Sequence, residues 1–163
     1  MSTNNPSTST STDTDNDISP LDSNIQYERI LVPHDGSEMS DRALRHAVYL
    51  SKISGAEIII LHILEHIDNI LGKRKEELPL TTENGMRQML EERIRLCKKA
   101  GVKEVSYMIR SGRPADEIVR MVGERYYDLI VMATSYLDSW VRSLFSEARK
   151  IISNINTPVL IVQ

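Results

Sequence analysis

The sequence has little of three features that define other protein classes: cysteine, long apolar runs and an excess of basic charge. One cysteine in 163 residues allows no disulfide within the chain. The longest unbroken apolar stretch is far shorter than the ~18 residues that a membrane span needs. After the first 24 residues, 19 acids face 20 bases, without the basic stripe that nucleic-acid binding requires. We therefore expect a soluble, cytoplasmic protein with no membrane and no nucleic-acid partner.

Glycine is absent from the C-terminal part of the chain. The last of the seven glycines is Gly123, so the final 40 residues contain none. Glycine permits positive φ angles and lets the backbone approach a phosphate group closely. A glycine-rich phosphate loop is therefore not expected in the last 40 residues.

The N-terminal residues differ in composition from the rest of the chain. Nineteen of the first 24 residues are Ser, Thr, Asn or Asp, and this segment has four acids but no Lys or Arg. Such residues bury little apolar area and compete for their own backbone hydrogen bonds. We interpret residues 1–25 as a disordered, solubilising tail, with a phosphorylatable or partner-binding arm as the alternative. Residues 26–163 have the length of one domain.

Two hydrophobic periods alternate along the remaining residues. Short apolar runs rich in β-branched residues predict five strands, near residues 27–33, 56–64, 105–109, 128–133 and 157–162. Apolar residues at helical spacing predict four helices, near residues 40–54, 86–97, 114–122 and 137–155. This alternation predicts an α/β fold with a parallel sheet and helices on both faces. Ligands of such sheets bind beyond the carboxyl ends of the strands.

Side chains suited to catalysis or metal binding are few. The four histidines, His34, His46, His62 and His66, show no metal-ligand spacing with Cys or Asp. His34 follows the first strand directly and is the better candidate for a site residue, whereas His62 falls within a buried strand pattern. Cys97 lies on the apolar stripe of the second helix, which indicates a buried structural thiol. We expect no metal site and no enzyme activity, with weak nucleotide hydrolysis as the alternative.

The residues that follow the strands carry a family resemblance. Residues 30–38, ILVPHDGSE, resemble the opening of the universal stress protein family, and further similar segments follow in the family's order at 61–63, 112–118, 128–132 and 156–162. The resemblance spans about residues 26–163. It implies a Rossmann-like sheet of five parallel strands in the order 3-2-1-4-5, and we expect this chain to be a regulatory or binding module. It also implies a homodimer formed through the C-terminal strand.

Many members of this family bind ATP, and the resemblance implies adenosine contacts at three residues here. Asp35 stands at the position of the family's aspartate, Pro33 precedes it, and Ile63 stands where the family's backbone contacts adenine. A carboxylate at position 35 can accept hydrogen bonds from ribose hydroxyls or from a base amine. The alternative interpretation of Asp35 is a cap for the helix that follows.

The family's phosphate loop has the pattern Gly-x2-Gly-x9-Gly-Ser/Thr, and this sequence departs from it at every position. Ala133, Tyr136 and Ser146 replace the three glycines, and Glu147 replaces Ser or Thr. A bulky Tyr disfavours positive φ, and a carboxylate repels a polyphosphate. We therefore expect no ATP binding in the usual way and no required cofactor. AMP or ATP held through altered phosphate contacts is the alternative.

The segment that replaces the loop is predicted to be largely helical. Leu137, Val141 and Leu144 follow helical spacing, and no helix breaker interrupts them. The only Trp and Phe of the chain, Trp140 and Phe145, belong to this segment. They either fill the vacant nucleotide cleft or form a contact surface for a protein partner, and the sequence leaves both interpretations open.

Overall fold

The computed structural model describes residues 1, 25–64, 83–133 and 155–163. The elements in chain order are β1 (Arg29–Pro33), α1 (Glu38–Ser54), β2 (Glu57–Leu64), α2 (Glu83–Lys99), β3 (Val105–Ser111), α3 (Pro114–Glu124), β4 (Leu129–Ala133) and β5 (Val159–Val162). The strands form one parallel sheet in the order β3-β2-β1-β4-β5, which confirms the predicted fold. Apart from their end residues, the predicted tail and the predicted helix near 137–155 lie outside the described residues.

The strands β1 and β2 lie in the interior of the sheet, and both of their faces are buried. Residues 30–32 of β1 are fully buried, and residues 58–63 of β2 are buried without interruption. Such continuous runs are typical of strands covered on both sides. The β1–β2 ladder ends where Pro33 pairs with Leu61, and the N–H of His34 then donates to the C=O of Leu61 at 2.8 Å.

Helices cover both faces of the sheet and build two apolar clusters. On one face, α1 and α2 pack on the sheet through Ala43, Leu44, Ala47, Leu90 and Cys97. On the other face, α3 packs through Ala115, Ile118 and Met121. The prediction of a buried thiol is confirmed, and burial raises the pKa of Cys97 to about 11.

Two helix ends follow from single residues. Gly55 ends α1 with a φ of +82°, a conformation that costs glycine little because it has no Cβ. Pro114 begins α3, where its missing N–H is no loss.

None of the helices in the described part of the chain is long and apolar enough to cross a membrane.

Candidate functional site

The loop after β1 lies where the order of the strands reverses. From β1 the sheet extends through β2 and β3 on one side, and through β4 and β5 on the other. The carboxyl ends of β1 and β4 therefore border the place where open α/β sheets bind ligands. Pro33 and His34 are buried, so Asp35 is the first exposed residue beyond β1.

Asp35 holds its carboxylate in a tight turn before α1. Its Oδ1 accepts a hydrogen bond of 2.9 Å from the backbone N–H of Ser37, and Gly36 between them has a φ of +89°. Partial burial raises the pKa of Asp35, but hydrogen bonds from Ser37 and Ser40 outweigh burial and hold the pKa below its usual value. The carboxylate is therefore ionised at neutral pH, and an ionised carboxylate has lone pairs for several donors.

Ser37, and not Asp35, caps α1. Ser37 has extended backbone angles, and its Oγ accepts the N–H of Ser40 at 3.2 Å. The hydroxyl of Ser40 donates in turn to the C=O of Ser37 at 2.8 Å. The alternative interpretation of Asp35 as the helix cap is therefore wrong, because its carboxylate shapes the turn that precedes the cap.

Ile63 directs its backbone past the end of β1. Within a strand, the N–H and C=O groups of residues two apart point to the same side. The C=O of Leu61 points toward β1, where it accepts the N–H of His34. The N–H and C=O of Ile63 therefore point the same way, beyond the last β1–β2 pair, which joins Pro33 and Leu61. These two groups are directed toward the space beside the Asp35 turn.

His34 lies behind this turn and not at its surface. Its side chain is fully buried, and its Nε2 lies 2.9 Å from Oδ1 of Asp41 in α1. Its Nδ1 accepts the backbone N–H of Gly36 at 3.1 Å. His34, the histidine predicted as the better candidate for a site residue, therefore offers no exposed side-chain atom to a ligand. His62 is buried as predicted, and its Nδ1–H donates to the C=O of His34 at 2.7 Å.

Asp41 joins His34 to the second helix. The Nε and Nη2 atoms of Arg93 donate to Oδ1 and Oδ2 of Asp41, each at 3.0 Å. Partial burial raises the pKa of Asp41, but hydrogen bonds from Arg93 and His34 outweigh it and hold the pKa below its usual value. The pair borders a groove of about 340 Å³ between α1 and α2.

Sequence reasoning missed both Asp41 and Arg93 as part of the site. They are 52 residues apart, and only the packing of α2 beside α1 brings them together. The one available signal was the acid in the first turn of α1, a position that the helix dipole favours.

The position of the first loop glycine is occupied by the last residue of β4. Ala133 is fully buried and pairs with Val162 of β5. The other residues predicted to replace the loop lie outside the described residues: Tyr136, Trp140, Phe145, Ser146 and Glu147.

A buried carboxylate lies near the carboxyl end of β3. Glu117 in α3 is 6% exposed, and its Oε1 lies 3.3 Å from Arg120. Gly112 leaves the space for it, since a Cβ there would lie 3.1 Å from Oε1. Within the ranges that the structure describes, no three His, Cys, Asp or Glu side chains are grouped so that they would hold a metal ion.

Comparison with known proteins identifies the family of the chain. The chain matches the universal stress protein family over residues 26–163. A universal stress protein of Methanocaldococcus jannaschii is 33% identical over 143 residues, which cover 84% of this chain and 82% of that protein. One of Thermus aquaticus is 33% identical over 144 residues, covering 84% and 99%.

The fold is also similar to that of solved structures. A universal stress protein in complex with cAMP is 26% identical, with a TM-score of 0.62, and the match covers 85% of this chain and 98% of that one. The family match covers residues 26–163, which include all the strands and helices that the structure describes. The chain belongs to the universal stress protein family.

Proposed function

We propose that this chain is a regulatory binding module that does not hold the triphosphate of ATP through the family's glycine loop. The observation that carries the proposal is the placement of Ala133. Its side chain is fully buried and its backbone pairs with Val162 at the end of β4. A residue committed to the core and to a strand ladder does not provide the open backbone on which phosphate groups lie.

The other positions of the loop pattern support the same proposal from the sequence. Tyr136 and Ser146 stand where two more glycines would allow positive φ angles. Glu147 adds a carboxylate where a polyphosphate would lie, and like charges at that range repel. Arg142 and Arg149 are close in sequence and would offset part of this repulsion.

The second candidate function is the binding of a nucleotide with a single phosphate. The observation that favours it is the exposed, ionised carboxylate of Asp35 at the place where the strand order reverses. The backbone groups of Ile63 are directed toward the same space and would contact a base. The similar structure at 26% identity is a complex with cAMP, which also carries one phosphate. AMP is therefore the ligand with which we would test this site.

Asp35→Asn is expected to weaken AMP binding at least tenfold, because hydrogen bonds to a charged acceptor contribute about 1.5–3 kcal/mol. Isothermal titration calorimetry of the wild type and the variant measures this difference. Glu104→Gln is the matched control, since it removes one exposed carboxylate that precedes β3 and therefore lies at the amino ends of the parallel strands, away from Asp35. AMP binding that is equal in wild type and Asp35→Asn would remove this candidate function.

We further propose that the module works as a cytoplasmic homodimer and does not turn over its ligand. Support for the dimer comes from β5, an end strand of the sheet whose Val159 and Ile161 are 41% and 46% exposed. Apolar strands at an uncovered edge favour pairing with another chain. A further protein partner is compatible with the same edge.

Incubation with Mg-ATP is expected to release no phosphate above the buffer control.

A further inference from the structure

His34 uses all of its polar atoms inside the protein. Its backbone N–H donates to the C=O of Leu61 at 2.8 Å, and its own C=O accepts the Nδ1–H of His62 at 2.7 Å. In the side chain, Nδ1 accepts the N–H of Gly36 at 3.1 Å, and Nε2 lies 2.9 Å from Asp41. The side chain is 0% exposed, so water does not compete for these bonds.

These partners fix the protonation state of the imidazole. A backbone N–H only donates, so Nδ1 must keep its lone pair to accept the bond from Gly36. The proton of the neutral ring then lies on Nε2 and is donated to the carboxylate of Asp41, which Arg93 keeps ionised. A second proton would have to lie on Nδ1 of His34, where it would face the N–H of Gly36.

The hydrogen bond at Nδ1 of His34 affects the candidate site, because its donor Gly36 lies between Asp35 and Ser37 in the turn. One side of the turn is held by the hydrogen bond from Gly36 to His34, and the other by the bond from Ser37 to Asp35. The φ of +89° at Gly36 gives the turn its direction. Losing the bond to His34 leaves only the second of these two restraints.

We propose that His34 is a positioning residue: its unprotonated Nδ1 holds the turn that presents Asp35, and protonation of its imidazole releases the turn. Ligand binding at Asp35 then becomes weaker as the pH falls. The effect on binding rests on the proposed function, whereas the change in the turn does not.

The groups that face His34 favour a neutral imidazole at pH 7. Burial, the largest effect, lowers the pKa of His34, and the charge of Arg93 on α2 lowers it too. Asp41 on α1 and Asp35 in the turn raise the pKa, but the net pKa lies below the usual 6.5. On the β2 side, His62 donates to the backbone of His34.

The direction of the pH effect follows from that lowered pKa. Because the folded state binds the proton less tightly than the unfolded state, the stability that neutral His34 contributes is fully present above about pH 6.5. It is lost as the pH falls from 6.5 toward the pKa of the folded state. The turn is therefore expected to be closed at pH 7 and to open as the pH falls through the pKa of the folded state.

NMR of the wild-type protein tests the change in the turn directly. Imidazole nitrogen shifts at pH 7 are expected to show that Nδ1 of His34 is unprotonated and that Nε2 carries the proton. As the imidazole titrates, the exchange protection of the Gly36 amide is expected to fall about five- to tenfold, the effect of one lost hydrogen bond. A proton on Nδ1 at pH 7, or protection that stays constant through the titration, overturns the proposal.

Two variants separate the two ring nitrogens. In His34→Asn, the side-chain oxygen takes the place of Nδ1 as an acceptor for Gly36 but does not titrate. In His34→Gln, the amide nitrogen takes the place of Nε2 as a donor to Asp41, and the acceptor for Gly36 is lost. We expect protection of Gly36 that is independent of pH and high in His34→Asn, and low at every pH in His34→Gln. Equal protection in the two variants contradicts the proposal.

AMP titrations at pH 7 and below the pH at which NMR shows that His34 titrates test the effect on binding. The affinity of the wild type is expected to fall about five- to tenfold as His34 is protonated, in step with the opening of the turn, and the affinity of His34→Asn is expected to change less. A wild-type affinity that is unchanged while Gly36 loses protection contradicts the link to binding. If AMP does not bind at either pH, the AMP candidate falls, and the NMR titration still decides the role of His34.

Discussion

Replacing Asp41 by alanine is expected to lower the free energy of unfolding by about 2–3 kcal/mol. The substitution removes the acceptor of the buried His34 side chain and also the charged partner of Arg93. The carboxylate accepts hydrogen bonds from both His34 and Arg93. Without it, the Nε2–H of the fully buried His34 has lost its acceptor. The contribution of Arg93 is smaller than for a fully buried pair, because the Asp41 side chain is 32% exposed.

Urea unfolding of the wild type and the Asp41→Ala variant measures this difference. Glu92→Ala is the matched control, because Glu92 also pairs with an arginine, Arg95, but on the exposed surface of α2. Surface pairs of this kind contribute less than about 1 kcal/mol. Equal destabilisation by the two substitutions would mean that Asp41 stabilises the protein no more than an ordinary surface carboxylate does.

Ile161→Lys is expected to convert the proposed homodimer into a monomer. Ile161 lies 46% exposed on β5, at the end of the sheet, and a lysine there places a charge at the edge that would pair with the second copy. Sedimentation at tens of micromolar is expected to give twice the chain mass of 18.6 kDa for the wild type and a single chain mass for the variant.

A matched control makes this experiment specific for β5. Ile53→Lys introduces the same change at another exposed isoleucine, on α1, and is expected to leave the dimer intact. A wild-type monomer at tens of micromolar would contradict the dimer, since interfaces of about 1,600 Å² normally hold at that concentration. Dissociation by both substitutions would place the interface elsewhere.

Much of the fold is predictable because its elements carry strong local patterns. The run at residues 58–63 is apolar except for His62, which is typical of a strand buried on both faces, and the structure buries every one of these residues. Helical spacing predicted α1, and Gly55 marked its end in the sequence. All eight elements of the described residues correspond to predicted ones.

The candidate site is less predictable for two reasons. Some of its contacts join residues that are distant in the sequence, and two of its residues are equally suited to cap a helix. Asp35 and Ser37 are both common near helix starts, and only the backbone angles show that Ser37 is the cap. His34 is a candidate site residue in the sequence, because no local pattern indicates that its side chain is buried and paired with Asp41. The partner of Asp41 comes from another helix, 52 residues away.

Calorimetric titration of the full chain with Mg-ATP tests the central claim most directly. The claim is that Ala133, together with the sequence changes at Tyr136, Ser146 and Glu147, removes the contacts that hold a triphosphate. We predict no binding of Mg-ATP at micromolar affinity. Binding with a dissociation constant in the low micromolar range, corresponding to about −8 kcal/mol, would contradict the account.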